Sequence, residues 1–347
     1  MPRPHRYAQI KQLLHQSSAA AYRYQQVTQA YFRQGIAYFE EMGTLPAALR
    51  QRLTHQLGSG FSLRVARVSH SAQAEKYLFE LQDGQRIETV AMRYRAGWHS
   101  YCLSTQAGCG MACRFCATAA MGLRRNLSAD EICDQALFFR QRGLPLDSLS
   151  FMGMGEALAN PNLFTALDCL TDPSLFGLSP RRLTVSTIGL PSGIERLSRQ
   201  HPQVNLTFSL HSPFEDQRSQ LIPLNLRHSL TEVMACLDAH VQRTHRKVYL
   251  AYLLLEGVND SREHATALAR LVQAPGRHSR LYHINLLRHN ANDFAAERYA
   301  RPAEAHIQRF GQWLQEAQVK VTVRSSFGDE IQAACGQLHA AASPLRA

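Results

Sequence analysis

The sequence predicts an α/β protein whose main body is a partial (β/α)6-type barrel, preceded by a small helical unit and a short β extension. Three observations predict it. From about residue 98 the chain alternates between short apolar strands and helical segments with three- and four-residue apolar spacing. Such alternation implies a parallel sheet with right-handed crossovers. Only six or seven strand–helix units can be counted, fewer than the eight of a closed barrel, so a partial barrel is expected and a doubly wound sheet is the alternative.

The elements follow in order. Residues 1–60 read as helices, with RYAQIKQLLHQ and YQQVTQAYFRQGIAYFEEM carrying the apolar periodicity. Residues 61–97 change character: FSLRVARVSH, EKYLFELQ and RIETVAMRYRA alternate like strands, with the turn QDGQ between the last two. Residues 98–347 form the expected core. Its strands are SYCL, DSLSFMG, RLTVST, VNLTFSL, KVYLAYLLL, RLYHINLL and VKVTVRS. Ser128 and Glu131 form a capping box that starts the first helix, ICDQALFF. Further helices cover NLFTALDCL, SGIERLSRQ, SLTEVMACLDAHVQ, EHATALARLVQ and EAHIQRFGQWLQEA.

Composition sets the class. Hydrophobic residues make up 45% and charged residues 19% of 347, an ordinary globular mixture. No apolar run reaches the ~18 residues of a membrane span, and the basic N-terminus lacks an apolar core with a cleavage site, so a cytoplasmic address is expected. The formal net charge of +11 attracts polyanions, nucleic acid foremost. Of the eight cysteines, Cys133, Cys169 and Cys236 fall on helical apolar patterns and read as small core residues.

The remaining cysteines carry the chemistry. Cys109, Cys113 and Cys116 form C-x3-C-x2-C directly after the first core strand, on the rim where barrel active sites sit. Thiolates hold iron–sulfur clusters, and a [4Fe–4S] cluster normally takes four. Three leave one iron open to a substrate or cofactor. A zinc site is the alternative, but no Cys or His lies at the usual fourth spacing. The motif, with Phe115 before its last cysteine, resembles the signature of the radical S-adenosylmethionine (SAM) superfamily. SAM contacts are then expected at later strand ends: Gly155 and Glu156 in GMGE, Ser186, then Ser209, Leu210 and His211, and finally Asn290. Glu156 would pair with the ammonium of SAM. Outside the cluster, Cys102 lies on the strand leading into it and Cys335 near the C-terminus. Each alone reads as a small buried residue, and Glu88 alone reads as a solvated strand charge.

Together IETV, CLSTQAGC with the cysteine run, GLRRNLSADEI, FMGMGEALAN, SPRRLTVSTIG, NLTFSLHSP, GVND and AACGQL resemble the radical SAM ribosomal RNA adenosine methyltransferases of the RlmN/Cfr family. RAGWHSYC, GEALAN and FSLHSP are similar to the Cfr branch. The resemblance implies a substrate adenosine in 23S rRNA, methylated at C8, with C2 the alternative of the RlmN branch. It implies two SAM molecules per turnover and an electron donor such as flavodoxin or ferredoxin. It implies a methyl carried on Cys335, Glu88 as proton acceptor, and Cys102 as the thiol that resolves the covalent adduct through a transient disulfide with Cys335. Resistance to ribosome-targeting antibiotics would follow from C8 methylation. A monomer is expected. From another class, a non-catalytic RNA-binding protein with a structural metal remains the competing reading. RNA contacts are expected from Arg93, Arg95, Arg124, Arg125, Arg181 and Arg182, with Trp98 and Tyr101 stacking on bases.

Overall fold

Ten strands hydrogen-bond side by side in one sheet, and the seven core strands run parallel within it. In this computed structural model residues 4–17, 19–274, 276–294 and 299–340 are described. The extreme ends of the first and last expected units therefore lie outside the described residues.

The antiparallel part comes first. Strands β1 (Leu63–His70), β2 (Ala74–Leu81) and β3 (Arg86–Arg93) form a meander. The turn at Gly84, with φ +78°, suits glycine. β3 then pairs antiparallel with β4 (His99–Cys102), which joins the meander to the parallel strands. After β4 come β5 (Gln106–Gly108) and β6 (Leu123–Asn126), a separate hairpin around the cysteine run. The main sheet continues through β7 (Ser148–Phe151), β8 (Leu183–Thr187), β9 (Asn205–Ser209), β10 (Val248–Leu254), β11 (Tyr282–Arg288) and β12 (Val321–Val323). The order is β1-β2-β3-β4-β7-β8-β9-β10-β11-β12. Among the described residues its two end strands, β1 and β12, are not bonded to each other.

Helices cover the sheet as the alternation requires. Before it lie α1 (Arg6–Gln16), α2 (Tyr22–Gln29) and α3 (Ala47–Leu57). A short α4 (Ala117–Ala120) follows the last cysteine of the run. α5 (Ala129–Arg140) begins at the expected capping box: Ser128 Oγ accepts from the Glu131 amide at 3.2 Å, and Glu131 accepts from the Ser128 amide at 2.8 Å. Then come α6 (Asn162–Thr171), α7 (Pro191–Gln200), α8 (Glu215–Leu221), α9 (Leu230–Thr244), α10 (Arg262–Val272) and α11 (Glu304–Glu316). The sequence reading missed β5, β6, α4 and α8.

One apolar core runs from Tyr7 and Ile10 of α1 through the sheet to Phe310 and Leu314 of α11. A buried ion pair ties the N-terminal helices to it. The Arg6 guanidinium meets both Asp134 oxygens, at 3.0 and 2.8 Å, and Asp134 also accepts from the Ser62 amide and hydroxyl. Satisfying every oxygen of a buried carboxylate in this way is what makes its burial tolerable. Among the described residues no helix is long and apolar enough to cross a membrane.

Candidate active site

Parallel strands send their C-terminal ends to one rim of the sheet, and the predicted residues gather there. Cys102 ends β4, Ser186 is the penultimate residue of β8, Ser209 ends β9, and Asn290 lies just past β11. The β5–β6 hairpin lifts the cysteine loop over this rim. Gly108 makes the approach possible: its φ is +74°, and a Cβ there would sit 1.9 Å from the Gly122 carbonyl oxygen.

α8 seats the loop. The Arg114 amide donates to the Leu221 carbonyl at 3.1 Å. Leu221 and Ile222 pack with Cys113, Phe115, Leu253 and Leu255 in a small apolar cluster apart from the main core. Phe115 meets the His211 ring edge-on, centroids 5.0 Å apart. His211 is buried, takes φ +56° and accepts the Leu253 amide on Nδ1 at 3.0 Å. Burial, then the Arg218 charge, lowers its pKa to about 3, so it is neutral with its proton on Nε2.

Beneath the loop lies a residue the sequence reading passed over. Arg218 of α8 is buried, and its guanidinium donates to the carbonyls of Leu210, Ser209 and Ile188 and to the Asn225 side chain. It therefore gathers the ends of β8 and β9 at one point. The only sequence signal was a lone arginine in EDQRSQL.

The three thiols lie within each other's electrostatic reach. Burial first, and Cys116 and Glu156 as well, raise the Cys109 thiol to about 12, against amide donation from Met111 and Glu156. Burial, then Cys116, Cys109 and Glu156, push Cys113 well above the usual thiol range, and Arg218 opposes them. Clustered thiols that resist ionising one by one suit a cationic cluster that replaces their protons. No three His, Cys, Asp or Glu side chains among the described residues form a group that would hold one metal ion. A cluster is reached at separate iron corners, so its thiolates need not converge on one point, and the donor set fits a [4Fe–4S] cluster with three protein ligands.

Glu156 sits beside this loop. Its two oxygens accept the amides of Leu158 at 3.2 Å and Ile188 at 2.9 Å, and burial raises its pKa to about 7. Gly155, at φ +103°, packs against Gln106, whose side-chain oxygen accepts the Glu156 amide at 2.8 Å. Asn290 donates to the Cys335 carbonyl at 3.4 Å, and its Oδ1 is buried without a partner. An orphaned acceptor at the rim fits a site built for a polar cofactor.

The C-terminal segment returns to this rim as a strap. Its Gly336 carbonyl accepts the Ala117 amide at 2.8 Å, its Leu338 carbonyl accepts the Thr118 hydroxyl at 2.6 Å, and Gln337 donates to the Ala291 carbonyl at 2.9 Å. Cys335 is thereby placed over the cysteine loop. It is exposed in area, yet surrounding atoms desolvate the thiol enough to raise its pKa. Cys102 feels it: burial, then the Cys335 charge, raises the Cys102 thiol to about 12. All eight cysteines are free thiols.

Several expectations are corrected. Glu88 is not a solvated strand charge; it is fully buried, 3.0 Å from Lys76 Nζ. Tyr101 cannot stack on a base, because it is fully buried against Phe139 with its hydroxyl on the Pro145 carbonyl. Arg125 is not free for phosphate: Glu131 takes it bidentately at 2.8 Å and Asp83 takes its Nε. Arg181 and Arg182 precede β8 and lie at the opposite rim from the site. Arg93, Arg95, Arg124 and Trp98 are exposed. Cys133 and Cys169 are buried and Cys236 half-buried.

A three-thiol loop at the C-terminal rim of a parallel α/β sheet defines a radical SAM protein, and the family model of the radical SAM superfamily matches residues 103–269. The chain is 48% identical over 335 residues to the ribosomal RNA large subunit methyltransferase Cfr of Staphylococcus aureus, covering 96% of each. It is 50% identical over 334 residues to the protein of that name from Clostridium botulinum (strain Loch Maree / Type A3), again covering 96% of each. The crystal structure of a radical SAM methyltransferase from Sphaerobacter thermophilus superposes with a TM-score of 0.90 at 38% identity, covering 96% of this chain and 98% of that one. The chain belongs to the Cfr family of radical SAM ribosomal RNA methyltransferases.

Proposed function

We propose that this chain methylates C8 of adenosine 2503 in 23S rRNA, consuming two SAM molecules per turnover, and that it protects ribosomes from antibiotics bound beside that base. The observation that carries this reading is the strap, which brings Cys335 from the far end of the chain over the cysteine loop and into the field of Cys102. Two thiols outside a three-thiol loop are what a methyl-carrying cysteine and its resolving partner require.

Cys109, Cys113 and Cys116 would hold a [4Fe–4S] cluster, which supplies the electron for reductive cleavage of SAM. Gly155, Glu156, Ser186, Ser209, Leu210, His211 and Asn290 would line the SAM site. In this reading Glu156 faces the ammonium, while the orphaned Asn290 oxygen accepts from a donor on the cofactor. Leu210 would support the site from beneath, since its side chain is in the core, its amide donates to the Ala251 carbonyl and its carbonyl accepts from Arg218. Cys335 takes the methyl on its sulfur and presents that carbon to the base. Glu88, on the underside of the strap, accepts the proton that leaves the carbon being methylated. The Cys102 thiolate then attacks the Cys335 sulfur. The S–S bond forms as the bond from that sulfur to the methylene carbon breaks, and the bonding pair leaves with that carbon and is protonated to give the product methyl. A thiol reductant reopens the disulfide before the next turnover. Arg93, Arg95 and Arg124 neutralise phosphates, with Trp98 as a stacking surface. The chain works as a cytoplasmic monomer fed by a flavodoxin- or ferredoxin-class donor.

Mass spectrometry of rRNA nucleosides from cells expressing the chain tests the reading. 8-Methyladenosine is expected, and it should vanish in Cys335→Ser. A 2-methyl product would move the chain to the other regiochemistry. Undiminished product from Cys335→Ser would overturn the cysteine mechanism.

A further inference from the structure

We infer that Lys76 is a positioning residue that, paired with Glu88, clamps the Cys335 strap at its two shoulders. Lys76 lies on β2 and Glu88 on β3. In the β2–β3 register Leu78 faces Glu88, so Lys76 is the diagonal neighbour of Glu88 on the same face. Both side chains are out of solvent, at 6% and 0% exposure, and the ammonium lies 3.0 Å from Glu88 Oε1. That contact is an ion pair rather than an aligned hydrogen bond.

Both members also grip the strap. Lys76 Nζ donates to the Gln332 carbonyl at 3.1 Å, three residues before Cys335. Glu88 Oε2 accepts the His339 amide at 2.9 Å, four residues after it. One polar circuit therefore runs from Gln332 through Lys76 and Glu88 to His339, with Cys335 on the span between. Packing agrees with it. At Gly328, φ +70°, a Cβ would sit 3.0 Å from the Ala333 Cβ and 3.1 Å from the Ala74 Cβ, so the start of the strap is pressed onto β2.

A buried ammonium is costly unless its donors are used, and a buried carboxylate unless its oxygens are. Here the cheapest way to satisfy both is to keep the strap docked, because the strap supplies a carbonyl to one and an amide to the other. Lys76 thus acts through Glu88 and through the backbone, with no contact to a substrate required. The importance of the clamp rests on the role proposed for Cys335, but its existence does not, and the test is chosen accordingly.

The test is amide hydrogen–deuterium exchange on the full-length chain as purified anaerobically, comparing the strap peptide around 332–340 with β10. Lys76→Met leaves Glu88 unpaired and invites misfolding, so the main variant is K76M/E88M, which removes both buried charges together. In it, strap exchange should rise about tenfold, as loss of a charge-assisted hydrogen bond implies, while β10 stays protected. Lys76→Arg, whose guanidinium reaches a carboxylate and a carbonyl at once, should return strap exchange to within about twofold of the parent. Unchanged strap exchange in K76M/E88M, or equal acceleration in β10, would overturn the clamp. Failure of the methylation reading would show instead in the nucleoside assay and leave this result standing.

Discussion

The Asn290 side chain donates to the Cys335 backbone carbonyl while its own Oδ1 is buried with no partner. One residue thus anchors the strap with its nitrogen and offers an unsatisfied oxygen to the rim. A buried acceptor left empty costs about 1–3 kcal/mol, which a ligand donor would recover on binding. Asn290→Ala removes that acceptor. SAM affinity should fall roughly tenfold, for a loss of ~1.4 kcal/mol, as equilibrium dialysis with labelled SAM would measure. Unaltered affinity would remove Asn290 from the cofactor site.

Gly108 sets the height of the cysteine loop. A Cβ there meets the Gly122 carbonyl oxygen at 1.9 Å, and the left-handed φ of +74° adds strain. Backbone cannot move aside as a side-chain tip can, so Gly108→Ala must break the β5–β6 pairing. After anaerobic reconstitution the variant should retain well under half the iron of the parent chain, by colorimetric iron and sulfide assay. Full iron content would show that the hairpin does not frame the cluster.

Arg218 satisfies the carbonyls of Ile188, Ser209 and Leu210 from the interior. Arg218→Leu keeps the volume but strands three acceptors at the ends of β8 and β9. Such a loss should cost about 3–5 kcal/mol, read as a lower urea midpoint with an unchanged slope. Arg218→Lys supplies a charge but not the planar fork, and should recover only part.

β10 was legible because it is buried on both faces and reads as an apolar run, KVYLAYLLL, while β7, β8 and β11 showed the alternation of strands buried on one face. The cysteine loop was legible because its ligands are close in sequence. What escaped was polar or long-range. β6 is Leu-Arg-Arg-Asn and β5 only three residues, so neither shows alternation. α8 is EDQRSQL, whose important inward residue is a charge. Tyr101 passed for a surface aromatic because Phe139, its stacking partner, lies on α5, 38 positions away by numbering. Arg125 was misread in part for the same reason, since Asp83 comes from the β2–β3 turn, although its bidentate partner Glu131 lies only six residues on. The burial of Glu88 depends on Lys76 one strand over and on His339 at the far end of the chain. Local pattern carries none of these.

His240 gives the fold a pH dependence whose sign can be worked out. It is buried on α9 with Nδ1 2.7 Å from Ser198 Oγ of α7. Burial, then the Arg246 charge, lowers its pKa to about 4 from the ordinary 6.5. Between those values the unfolded chain binds a proton that the folded chain refuses. The stabilising contribution is therefore complete above pH ~6.5 and is lost as pH falls toward ~4, at up to ~1.4 kcal/mol per unit. His240→Gln keeps a polar partner for Ser198 but does not titrate. Urea denaturation of both proteins at pH 7.5 and 5.5 should show the gap between them shifting by about 1.4 kcal/mol in favour of the variant at the lower pH. A gap independent of pH would mean that His240 titrates alike in both states.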